Sequence, residues 1–71
     1  MNDRNPAITQ IIKAMQRDAE DLMNQIDLAA GDIGEGRRNG AIGALAPVDA
    51  TLERLSSLLA AARAIHRMTP L

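Results

Sequence analysis

The stretch ITQIIKAMQRDAEDLMNQIDLAAGDI, residues Ile8 to Ile33, carries apolar side chains at Ile8, Ile12, Met15, Ala19, Leu22, Ile26, Ala29 and Ile33. Alternating steps of four and three keep one face of an α-helix against a partner, so this row predicts the seam of a helix packed on another helix. A second row with the same seven-residue period follows a glycine-rich break: Leu45, Val48, Leu52, Leu55, Leu59, Ala62 and His66. Leu58 and Ile65 widen it on one flank. Two such rows in one short chain predict an all-α fold, a helical hairpin of two long antiparallel helices.

The punctuation of the chain sets the expected boundaries. Asn5-Pro6 reads as a helix start, because Asn5 can cap free backbone donors and Pro6 loses no hydrogen bond at the first helical position. Helix 1 is expected over about 6–30, with Gly31 in the left-handed C-terminal cap and the turn over 31–36. Helix 2 is expected over about 36–68, where Thr69-Pro70 prevents continuation. Pro47 lies inside it and cannot bond to the carbonyl of Gly43, which predicts a kinked helix; the alternative is a new helix opened by Pro47, with Asp49 in its first turn. The whole chain, 1–71, forms one hairpin domain.

Size points to assembly. A chain of 71 residues buries only about 60% of the surface its unfolded form exposes, and its private core supplies roughly 3–5 kcal/mol at most. Cysteine is absent and His66 is the single histidine, so disulfides, thiolate ligands and histidine-rich metal sites are excluded as support. Oligomerisation is what is left. If the chain reverses near Ile33, helix 1 reaches back only to Leu58 or Leu59, and the segment Ala60 to Ile65 outruns its intrachain partner. A four-helix or larger bundle follows, with Leu45, Leu52, Leu55, Leu58, Leu59, Ala62 and Ile65 as the expected oligomer interface.

Composition narrows the function classes. Aromatic residues are absent, and eight basic against nine acidic side chains leave a formal net charge of −1. No strong field draws in nucleic acid or an anionic membrane, and no apolar run approaches the ~18 residues of a membrane span. The amino terminus lacks a signal-peptide layout, so a soluble cytoplasmic protein is expected. Asp18, Glu20 and Asp21 lie on a solvated helix surface without the shielding that paired acid–base carboxylates need, and Ser56 and Ser57 have no histidine-and-acid constellation. No catalytic residue, metal site or cofactor is expected.

Two basic clusters are the candidate ligand sites. Arg37 and Arg38 lie among Gly34, Gly36 and Gly40, where backbone donors and guanidinium forks could cradle a phosphate, although the spacing matches neither the GxGxxG nor the GxxxxGK(S/T) loop and no strand precedes it. The bland reading is a tight turn, with Gly36, Gly40 and Ala44 forming a smooth ridge. Arg63, His66 and Arg67 close helix 2, near Arg4 in a hairpin, and could take an acidic partner or a phosphate; cations there also complement the helix dipole.

In size and shape, with no shared motif and no family residue carried over, the hairpin resembles the Rop family, dimeric four-helix bundles acting on paired RNA loops; Gln10, Lys13, Arg17 and Gln25 on helix 1 could in principle play such a role. In length, and in a long helix ending in Ile65-His66-Arg67, the chain is similar to phage-encoded sponges that sequester cyclic nucleotide signals. That second likeness implies a site between subunits built on the helix 2 arginines. From the residues themselves the leading expectation is a non-enzymatic, homo-oligomeric binding protein: an adaptor, inhibitor or small regulator with a protein partner. The competing class is an anion or nucleotide binder using Arg37, Arg38, Arg63 and Arg67.

Overall fold

The computed structural model describes residues 5–68, so Arg4 and the Thr69-Pro70 stop signal lie outside the described residues. Three helices follow in order: α1 (Pro6–Gly34), α2 (Arg38–Ala44) and α3 (Val48–Met68). Asn5 caps α1 as expected, its side-chain oxygen accepting from the backbone N–H groups of Ala7 at 3.1 Å and Ile8 at 3.2 Å.

α1 runs one turn longer than the glycine at position 31 suggested. Gly31 keeps ordinary helical geometry, and its carbonyl accepts from Glu35 N–H at 3.2 Å. The reversal falls instead at Gly36, whose φ of +78° is the left-handed conformation that only glycine adopts without strain. Arg37 N–H then donates back to the Asp32 carbonyl at 2.8 Å, closing the turn.

The second arm is bent at Pro47, and the bend is a full interruption over 45–47 between α2 and α3. Proline cannot donate to the Gly43 carbonyl, so Ala46 N–H takes that acceptor at 3.1 Å and Leu45 N–H takes Ile42 O at 3.1 Å. α3 opens immediately afterwards with Asp49 in its first turn, the arrangement in which Pro47 begins a new helix. α2 packs on the end of α1: Ala41 is buried, and a Cβ at Gly40 would lie 3.0 Å from Asp32 Oδ2.

α1 and α3 pair antiparallel. Thr51 Oγ1 lies 3.2 Å from Gln25 Oε1, and Arg54 Nε lies 3.5 Å from Asp18 Oδ1. The midpoint of Gln25 and Thr51 is residue 38, well past Ile33, because α2 occupies the reversal. α3 therefore runs beside α1 over its full length, and Ala62, Ala64 and Ile65 are half-buried rather than projecting free.

The side chains turned inward form a heptad seam. On α1 they are the a row, Ile8, Met15, Leu22 and Ala29, and the d row, Ile11, Asp18, Gln25 and Asp32; on α3 they are Val48, Leu55 and Ala62 with Thr51, Leu58 and Ile65. Each predicted stripe is thus split. Its a row faces the intrachain partner, while its other row, Ile12, Ala19, Ile26 and Ile33 on α1 and Leu52, Leu59 and His66 on α3, is exposed. Those residues occupy heptad position e.

Candidate interaction surface

Two packed layers are the ordinary minimum for a folded domain, and this hairpin has one. Its extents are 53 × 22 × 12 Å, the smallest being about the diameter of a single helix with its side chains. The interior is correspondingly small: among the described residues the buried ones are Ala29, Ala41 and Thr51.

In an antiparallel pair the e positions of both helices flank the seam on the same side, and the g positions flank it on the other. The Gln25–Thr51 register brings the e residues of α1 and α3 level in three steps, Ile26 with Leu52, Ala19 with Leu59, and Ile12 with His66, and Ile33 and Leu45 are exposed beyond them toward the reversal. One face of the hairpin is therefore an almost unbroken apolar strip. Ile12 and Ile33 are each 54% exposed, Ile26 45% and Leu52 48%, and Met23 borders the strip at 61%.

The opposite side is chemically different. There an open groove of about 690 Å³ runs between the helices, lined by Ala14, Arg17, Asp18, Ala50, Glu53, Arg54, Ser57 and Leu58. Charged side chains of both signs surround it.

Of the residues expected at an oligomer interface, Leu45, Leu52 and Leu59 are exposed on the apolar face, whereas Leu55, Leu58, Ala62 and Ile65 are half-buried within the hairpin. The α1 half of that face, Ile12, Ala19, Met23, Ile26 and Ile33, belongs to the same surface. All of these but Met23 stand in the first apolar stripe, where they are indistinguishable from an intrachain seam.

The basic residues do not converge. Arg37 is tied into the turn: its Nη2 lies 2.8 Å and its Nε 3.3 Å from Asp32 Oδ1, and Nη1 pairs with Glu35. The hydrogen bonds that Arg37 donates to Asp32, and after them the charge of Asp32, hold the guanidinium above its ordinary pKa. Arg38 is exposed at the first residue of α2. Arg63, His66 and Arg67 are exposed in the last turns of α3, and Arg63 lies about 22 Å along the helix from its start, at the end of the molecule away from Arg37 and Arg38. His66 closes the apolar strip beside Ile12.

Among the described residues no group of three or more His, Asp or Glu side chains is placed to hold a metal ion, and no helix is long and apolar enough to cross a membrane. No family model matches the chain, and neither the curated proteins nor the solved structures give a match to it.

Proposed function

We propose that the chain is a non-enzymatic, homo-oligomeric helical binding protein, an adaptor, inhibitor or small regulator that works as a bundle of at least four helices. The observation that carries this reading is the single-layer hairpin with one apolar face. A compact chain of 7.6 kDa exposes about 4300 Å² by surface scaling, whereas this one exposes 5574 Å². The difference exceeds the roughly 800 Å² that each partner contributes to a stable interface. Burial of that strip in an oligomer gives the hairpin the second layer it lacks.

Native mass spectrometry and equilibrium sedimentation at low micromolar concentration test the reading. A multiple of the 7.6 kDa chain mass is expected, with a melting temperature that rises with protein concentration. A well-folded monomer with a concentration-independent melt overturns it. Melts with cyclic nucleotides, polyphosphate and RNA are expected to show no stabilisation. An anion bound at a hundred times its Kd would instead add about 2.7 kcal/mol, and loss of that gain in Arg63→Ala/Arg67→Ala would move the function to the basic end of α3.

A further inference from the structure

Resting on the homo-oligomeric reading above, we infer that a second copy of this chain docks on the e face through a two-fold axis lying across the helices, so that α1 meets α1 and α3 meets α3, each pair antiparallel. Three observations choose the face and the symmetry.

The first is the distribution of polarity around the a row. Four-helix bundles need a stripe wider than one seam, with apolar residues at a and d and also at e or g. Here the d row of α1 is largely polar (Ile11, Asp18, Gln25, Asp32) and the e row wholly apolar (Ile12, Ala19, Ile26, Ile33). Docking on the e face puts the a and e rows at the centre of the bundle. The polar d row then lies toward the outer groove, where Asp18 already meets Arg54. Docking on the groove side would bury Arg17, Asp18, Glu53 and Arg54 and leave the isoleucines in water, at a large desolvation cost.

The second is the extent of the α1 row. Ile12 to Ile33 is centred between Ala19 and Ile26, which fixes where an axis across the helices passes. Such an axis stacks Ile26 of one copy over Ala19 of the other and Leu52 over Leu59. An axis parallel to the helices would set Ile26 against Leu52 and Ala19 against Leu59, the same mix of large and small, so the choice between the two axes falls to charge.

The third is charge. On α3 the residues that border the strip are Asp49, Ser56 and Arg63, each exposed and spaced seven apart. The same axis passes near Ser56 and sets Asp49 of each copy beside Arg63 of the other, giving two symmetric opposite-charge contacts at the rim. With the axis parallel to the helices, Ser56 would meet Met23 and Asp49 and Arg63 would have no such counterparts.

Because the chain has no cysteine, single cysteine variants report the geometry cleanly. Ser56→Cys is expected to form a disulfide-linked dimer under mild oxidation, while Leu28→Cys, on the groove side, stays unlinked. Ile26→Asp is expected to weaken dimerisation by roughly a hundredfold, since each substitution places two charges in the interface; Leu28→Glu is expected to leave the dimer intact. An oligomer in which Ser56→Cys fails to cross-link with itself, or cross-links only to Met23→Cys, overturns this arrangement and leaves the homo-oligomeric reading standing. A monomeric wild-type chain overturns both. The cross-link is read on a folded protein, so loss of folding in Ile26→Asp does not remove the test.

Discussion

Thr51 and Gln25 face each other across the hairpin, hydroxyl to side-chain oxygen at 3.2 Å, at a level where a dry seam would hold two apolar side chains. The Thr51 hydroxyl also lies 3.2 Å from the Pro47 carbonyl and accepts from Arg54 Nη2 at 3.4 Å. Every polar residue of the α1 d row is tied in this way: Asp18 to Arg54, Gln25 to Thr51, Asp32 to Arg37. Polar groups can occupy a seam at low cost when each has a partner, and the apolar e row is left free.

Thr51 is 1% exposed, so removing its hydroxyl and methyl leaves both a small cavity and an unpaired Gln25. Thr51→Ala is expected to lower stability by about 1–2 kcal/mol. The double variant Thr51→Val/Gln25→Leu removes both polar partners and is expected to recover most of that loss. Urea unfolding of all three chains at one protein concentration measures the coupling; additive losses would show that the two side chains act independently.

Asp18 has 16% of its side chain exposed, and its contact with Arg54 is long, while Arg54 itself is largely solvated. Asp18→Leu is expected to raise stability by about 1 kcal/mol, because an apolar side chain in a half-buried seam outweighs a weak ion pair. A fall in the urea midpoint would instead show that the ion pair holds the register of α1 on α3.

The two glycines inside α2 should answer differently to alanine. Gly43 has open space around its missing Cβ, so Gly43→Ala is expected to add about 0.5–1 kcal/mol through helix propensity. At Gly40 the new methyl would stand 3.0 Å from the Asp32 carboxylate that Arg37 holds in place. Gly40→Ala is expected to gain less than Gly43→Ala or to lose stability. Equal gains in thermal melts would mean that α2 does not rest on Asp32.

Asn5 supplies the oxygen that caps the first donors of α1. Asn5→Ala is expected to cost about 1 kcal/mol and Asn5→Asp to cost much less, since aspartate offers the same acceptor and favours the positive end of the helix dipole. Urea titrations followed by circular dichroism compare the two; similar losses would mean that the cap is not what anchors this end.

The two-arm helical plan, the start of α1 at Asn5-Pro6 and a bend at Pro47 are properties of the sequence, because caps, proline and a seven-residue apolar period act locally, within a few turns of chain. The a row was legible for the same reason. Gly31 misled because glycine permits a left-handed cap without requiring one, and the ion pairs of Asp32 and Glu35 with Arg37 close the chain around Gly36 instead.

What the sequence could not decide is which neighbour of the a row turns inward. Stepping three or four residues from Leu22 reaches Gln25 or Ile26, and both choices make a regular seam. The choice belongs to the tertiary structure, since it depends on α2 filling the reversal, on the register that this imposes, and on Asp18 and Gln25 finding partners across the hairpin while Asp32 finds one in the turn. Periodicity alone therefore determined that this chain is built of packed helices. Long-range pairing decided that its most apolar row, Ile12 to Ile33, faces out of the hairpin.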